Sequence, residues 1–295
     1  MADIRRASHA GSWYSNRESE LSTQLGGWLS EASSSAAISP NKHVRALIAP
    51  HAGYAYSGPT AAHAYQHINP SLVDRIFLLG PSHHVYMTGC ALTSVSAYET
   101  PLGSIEIDKQ VNNALFQTGL FDTMDITVDT NEHSLELHLP YIAKVMGSKP
   151  YTLVPILVGE LSAQAGQQYG QLLAEHMKNP RNLFIVSSDF CHWGARFRYQ
   201  PYESTKGAIH EFIQQLDHQG IEHIEHQDIR AFDAYLKETR NTICGRHPIS
   251  LLLYVLAHVP GCTVQFVKYA QSSACLRPTD SSVSYASAIV YHDSA

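Results

Sequence analysis

The chain has 295 residues, 44% hydrophobic and 16% charged, with a formal net charge of -6. That supplies core for one large α/β domain, and an acidic balance without a long basic run excludes a nucleic-acid surface, which needs a positive field. The five cysteines are odd in number and form no C-x-x-C, which argues against a disulfide framework or a structural zinc finger.

Ser8 to Tyr14, S-H-A-G-S-W-Y, precedes any regular element. It reads as a segment packed over a site or as a tied-down terminus. Leu21, Leu25, Trp28 and Leu29 recur at helical spacing, and 30–42, with a serine run and Pro40, reads as a surface loop. Val44 to Ala49 is apolar except for Arg45 and predicts a buried strand. It stops on Pro50-His51-Ala52-Gly53, because proline cannot donate to a sheet ladder. A helix is expected to open at Gly58-Pro59. The next strand, Arg75 to Leu79, ends on Gly80-Pro81-Ser82-His83-His84, the same grammar of apolar run, proline and histidine. A helix between two such strands makes a βαβ unit with parallel strands. His51 and His83 or His84 then share the carboxyl edge of the sheet, where open α/β folds bind ligands.

Helices are expected over 108–118 and across Leu135, Leu139, Ile142 and Met146. The second opens with N-E-H-S-L-E-L-H-L-P at 131–140. His133 and Glu136 share a face, His138 points elsewhere, and H-E-x-x-H is absent, so the segment reads as support beside a site rather than as a ligand set. A third strand, 151–158, and a helix, 162–178, lead to a fourth strand, 182–186. That strand runs into S-S-D-F-C-H-W-G at 187–194, with Asp189 and His192 spaced as an acid/base pair or as groups behind a metal. Helices at 205–219 and 228–239 follow, then T-I-C-G-R-H-P at 242–248. Cys244 precedes a helix start with Arg246 nearby. Both features favour a thiolate, against the alternative of a small buried hydrophobe. The helix at 249–257 is too short to span a bilayer, and two β-rich runs, 263–270 and 283–291, close the chain.

The fold class expected is α/β: a single three-layer domain over 1–295, with a central, largely parallel sheet flanked by helices. His51, His83 or His84, Asp189, His192 and Cys244 all follow strands or precede a helix. Imidazole, thiolate and carboxylate on one rim are the ingredients of a mononuclear transition-metal site. Trp13, Tyr54, Trp193 and Phe197 offer aromatic walls for a peptide. Arg196, Arg198 and Arg246 offer phosphate contacts, against the alternative of ordinary surface charge. With no apolar leader at the amino terminus, a soluble protein is expected, cytoplasmic and compatible with the nucleus.

A-P-H-A-G-Y at 49–54, L-G-P-S-H-H at 79–84, E-H-S-L-E-L-H-L-P-Y at 132–141, V-S-S-D-F-C-H-W-G at 186–194 and T-I-C-G-R-H-P-I at 242–249, with S-H-A-G-S-W-Y, resemble the Memo family along essentially the whole chain. The likeness is to its eukaryotic branch, mediators of receptor-kinase-driven cell motility. The resemblance implies a fold like that of class III extradiol non-heme iron dioxygenases, which hold Fe(II) with two histidines and a carboxylate. It puts the histidines on His51 and His83 and places Cys244 at the third position. A softer thiolate shifts the balance toward copper, with iron and zinc still compatible, and counts against ring cleavage. The resemblance also implies redox-linked signalling and phosphotyrosine-containing receptor tails as partners. A metal-dependent oxidoreductase of the extradiol class, with Asp189 and His192 as catalytic groups, is the competing reading.

Overall fold

The structure is a computed structural model that describes residues 4–33 and 42–293. Most of the loop expected at 30–42 therefore lies outside the described residues, while 30–33 continue the first helix, Glu18–Ser33. In chain order the strands are β1 (Ile4–Arg5), β2 (Lys42–Ala49), β3 (Arg75–Pro81), β4 (Cys90–Leu92), β5 (Ala97–Thr100), β6 (Gly103–Glu106), β7 (Phe121–Thr123), β8 (Thr152–Val158), β9 (Asn182–Ser187), β10 (His192–Trp193), β11 (Cys262–Gln271) and β12 (Ser282–Asp293).

The four most apolar runs pair in parallel in the spatial order β2, β9, β3, β8 and form the centre of the main sheet. Its margins are antiparallel. β12 pairs with β2 and carries β10 and β11; on the other side β4 pairs antiparallel with β8, and β7 runs parallel outside it. β1, β5 and β6 form a small separate sheet.

The centre is buried on both faces, as continuous apolar strands require. Ile48, Phe77, Ile156 and Phe184 face one core, under helices that include Ala163–Met177, Ile209–Glu225 and Arg246–Leu256. Leu47, Leu78, Leu157 and Ile185 face the other, under Glu18–Ser33, Tyr54–Tyr65 and Leu139–Met146. Helix, sheet, helix is the three-layer arrangement expected.

The boundaries of three expected helices move furthest. The helix placed at Gly58-Pro59 begins at Tyr54, and Pro59 lies inside it. Burial of the Tyr54 ring and its N–H bond to the Trp13 carbonyl start the helix early, so Pro59 forfeits only one internal hydrogen bond. The helix expected across 135–146 is broken into His133–Glu136 and Leu139–Met146, with Pro140 in the first turn of the second piece. The helix expected from 205 starts at Ile209 and runs on to Glu225.

The amino-terminal segment is tied to this frame by Glu136. That buried carboxylate accepts from Arg5 Nη1 at 2.8 Å, the His9 backbone N–H at 2.8 Å and the Tyr14 hydroxyl at 2.7 Å. Burial alone would raise its pKa, but the His9 hydrogen bonds, the Arg5 charge and the Tyr14 hydroxyl outweigh it and hold the group at about 2. A carboxylate depressed from 4.5 to about 2 contributes stability that is present above pH 4.5 and lost as the pH falls toward 2. Glu136→Gln is therefore expected to lower the unfolding free energy by about 3 kcal/mol at neutral pH. In urea titrations the gap from wild type should close between pH 4.5 and 2.

Candidate metal centre

Three neighbouring parallel strands end at the same edge. β2 delivers His51, β9 delivers Asp189 and β3 delivers His83. The β2–β9 register pairs Ala49 with Ser187, so His51, two residues past Ala49, reaches back over the Ser187 side chain. His51 Nδ1 lies 2.6 Å from Ser187 Oγ, and that hydroxyl donates its proton to the Ser134 carbonyl at 2.7 Å. With the hydroxyl proton committed, His51 Nδ1–H must be the donor to Ser187. Nε2 is left as a lone-pair nitrogen 3.1 Å from Cys244 Sγ.

His83 is oriented the same way by a carboxylate. Its Nδ1 lies 2.8 Å from Glu132 Oε1 and its backbone N–H donates to Glu132 Oε2 at 2.7 Å. A carboxylate behind a histidine fixes the ring and frees the opposite nitrogen, a common arrangement for metal ligands. The His51 and His83 rings are 5.1 Å apart at 80°, and the donor atoms of His51, His83 and Cys244 all lie within 4.8 Å of one another. His84 belongs to neither group of candidate ligands found among the described residues.

The second such group, His83, Glu132 and His133, shares His83 with the first. Glu132 is already committed to His83 and to the Ser134 N–H, as the cap of helix His133–Glu136. Burial pushes its pKa upward, but the His83 and Ser134 hydrogen bonds overcome this and hold it at about 2. Glu132 is thus an anion that positions His83. His133 stacks on His83 with centroids 4.3 Å apart, and burial, reinforced by His83, holds its pKa at about 3. His138, expected to point elsewhere, is buried against the Tyr65 hydroxyl.

Burial, with His83 next, also pushes His51 well below the usual histidine range. Burial, then the Asp189 carboxylate, pushes the Cys244 thiol well above its ordinary value, against the N–H groups of Asp189 and Gly245. This corrects the sequence expectation of a thiolate: desolvation outweighs the N–H groups at the helix start. Burial raises Asp189 as well, opposed by His192 and by the His51 and Ala52 N–H groups. His192 sits beside them; its Nδ1 faces the Phe190 and Thr242 carbonyls at 2.9 and 3.2 Å.

Of the expected peptide-contacting groups, Trp13 lies over the cleft, 4.6 Å from the His133 ring, so the segment 8–14 is packed over a site. Phe197 packs edge-on to His192 at 5.1 Å, and Arg196 lies over the Phe197 ring. Arg198 is exposed. Tyr54 and Trp193 are only 3% and 1% exposed. Their polar atoms are spent on the Leu137 and Pro201 carbonyls. Neither presents surface to a peptide, and the expected aromatic lining is reduced accordingly. Sequence reasoning read the segment 131–140, which holds Glu132, His133 and Ser134, as support beside a site without naming their partners, and gave Ser187 no role of its own. A strand that ends on serine and a Glu-His-Ser helix cap mark these residues in the sequence, but not the partners they find.

Two glycines let these pieces close up. A Cβ on Gly80 would stand 2.6 Å from Ser134 Oγ, and one on Gly245 would stand 2.3 Å from Ser188 Cβ and 2.4 Å from the Ser187 carbonyl oxygen. The Cys244 loop therefore rests directly on the end of β9. Gly245→Ala is expected to push that loop outward. Transition-metal affinity should drop by at least about tenfold, since supporting groups around a site carry that much, while the melting temperature moves far less than for a core truncation. A calorimetric metal titration beside a thermal melt checks both.

A profile for Memo-like proteins matches residues 5–289. Protein MEMO1 of Xenopus laevis is 49% identical over 295 residues, covering 98% of each chain. Protein MEMO1 of Homo sapiens is 49% identical over 288 residues, covering 96% of this chain and 95% of that one. The memo-1 homolog of Caenorhabditis elegans is 47% identical, covering 97% and 82%. Among solved structures, an uncharacterized Escherichia coli K12 protein, JW3007, shares the fold at 12% identity with a TM-score of 0.51, over 84% of this chain and 98% of that one. With the profile matched from β1 into β12 and near-half identity along the whole length, the chain belongs to the Memo family.

Proposed function

We propose that this protein holds one soft transition-metal ion, copper or iron with zinc also accommodated, on His51 Nε2, His83 Nε2 and Cys244 Sγ. In this reading it acts in redox-linked signalling and cell motility downstream of receptor tyrosine kinases, in the cytoplasm and also in the nucleus. The observation that carries the metal reading is the pair of committed Nδ1–H groups, on Ser187 and on Glu132, which leave two imidazole nitrogens and one sulfur within 4.8 Å of one another. Such an ion would supply redox or Lewis-acid chemistry. The chain's own residues orient the donors and, through Trp13 and His133, cover them. A phosphotyrosine-bearing receptor tail or signalling peptide is the proposed partner. It is supported by Arg196, which stands at the rim above Phe197.

A second reading is an oxygen-using oxidoreductase of the extradiol class. It draws on His192, fixed beside Asp189 by the Phe190 and Thr242 carbonyls. Catechol turnover by Fe(II)-loaded protein under oxygen would favour it, and its absence would remove it.

In anaerobic titrations, Cys244→Ser is expected to lower Cu(I) affinity by about a hundredfold or more, since even supporting groups carry ten- to hundredfold. Cys90→Ser should leave it unchanged, because Cys90 is buried in the core. Cys244→Asp rebuilds two histidines and a carboxylate and should shift preference toward Fe(II). Wild-type Cu(I) affinity in Cys244→Ser would remove the sulfur from the donor set.

A further inference from the structure

The segment that carries Cys244 has a second side. Asn241, Thr242 and Arg246 form one wall of a cleft of about 640 Å³, within the roughly 300–1,000 Å³ typical of small-molecule sites. The metal reading makes no use of it.

Cations outnumber carboxylates in this cleft. Lys237, Arg240 and Arg246 line it and are exposed. Among the described residues none of the three forms an ion pair with a carboxylate. One acidic group, Asp233, also lies on the wall and interacts with Lys237, whose charge opposes the upward push of burial on it. The first turns of two long helices, Ala163–Met177 and Arg246–Leu256, also face the cleft and add the positive ends of their dipoles. Arg240 caps helix Ile229–Thr239 with a φ of 52°, a left-handed backbone that a non-glycine residue seldom adopts.

The remaining walls suit an organic body. The Tyr254 ring is fixed against the helix Ala163–Met177, where a Cβ on Gly166 would stand 2.3 Å from it, and Leu161 and Leu236 are adjacent in the lining. His247 accepts the Leu161 N–H at Nδ1, which puts the proton of the neutral ring on Nε2 as a donor. Asn241 is 4% exposed. Its Nδ2 donates to Asp217 and Tyr235, and its buried Oδ1 has no partner.

We propose that this cleft binds a phosphomonoester of nucleotide size, with the phosphate held by Lys237 and Arg240 at the end of helix Ile229–Thr239 and by Arg246 at the start of helix Arg246–Leu256, and a flat body against Tyr254. The proposal stands apart from the metal reading. The two meet only in the loop, where Thr242, on the cleft wall, also accepts the His192 N–H at 2.7 Å.

The test is calorimetric titration of the full chain with AMP, adenosine and inorganic phosphate. AMP should bind more tightly than phosphate, and adenosine most weakly. A Lys237→Ala/Arg240→Ala double variant, in which both side chains removed are exposed, should weaken AMP about a hundredfold, roughly tenfold for each cation removed. Arg196→Ala, at the rim of the metal cleft, should leave AMP binding unchanged. Failure of AMP to bind at millimolar concentration, equal affinity for AMP and phosphate, or an unaltered double variant would each overturn the proposal. So would loss of AMP binding in Arg196→Ala, which would move the ligand to the metal cleft.

Discussion

The hydrogen bond from His51 Nδ1 to Ser187 Oγ is the interaction on which the cleft depends. It exists because β2 and β9 pair in parallel with Ala49 opposite Ser187. A one-residue slip would turn Ser187 to the other face of the sheet and leave His51 over a backbone. The serine in turn gives its own proton to the Ser134 carbonyl, at the helix turn that also carries Glu132 and His133. Sheet register thus determines a tautomer, and the tautomer determines which nitrogen meets Cys244. No side chain along that chain of hydrogen bonds is free to choose otherwise, since each proton has one acceptor.

Two carboxylates four residues apart divide the remaining work. Glu132 holds His83 and caps a short helix; Glu136 holds Arg5, His9 and Tyr14. Both are fully buried and both are kept ionised by several donors, the condition under which a buried charge is tolerated. One turn of helix therefore fixes a proposed ligand on one side and, on the other, the segment that lays Trp13 over His133. The segment 131–140, which resembles a ligand-bearing helix at first sight, is the clamp between floor and cover.

Much of this was legible in the sequence. Apolar runs ending in Pro-His or Ser-Ser-Asp located β2, β3 and β9 and the edge they share, because a buried parallel strand has a hydrophobic signature and proline or polar residues stop it. Cys244 was legible as a residue before a helix. The short marginal strands, such as β4, β7 and β10, were not, since three residues or fewer carry no periodicity. The roles of Ser187, Ser134 and Glu132 were hidden because they come from hydrogen bonds across 53 or 49 residues of sequence. Tyr54 and Trp193 were misleading for a related reason. An aromatic residue beside a site motif reads the same whether it lines a cleft or fills the core beneath it, and their hydrogen bonds to internal carbonyls decide for the core.

The state of Cys244 follows from what surrounds it. A carboxylate at this position would place a second anion beside Asp189, at a depth where burial already pushes Asp189 toward its neutral form. A thiol avoids that conflict by keeping its proton, and both burial and Asp189 favour its doing so. Two acids that share one buried space do not ionise together without a cation to offset them. Only an ion that bonds strongly to sulfur can repay the removal of that proton, which hard ions such as Mg²⁺ and Ca²⁺ do poorly. On the proposed metal reading, the same desolvation that works against a free thiolate would make the cleft discriminating: it would favour soft cations by penalising the anion that would attract every cation alike.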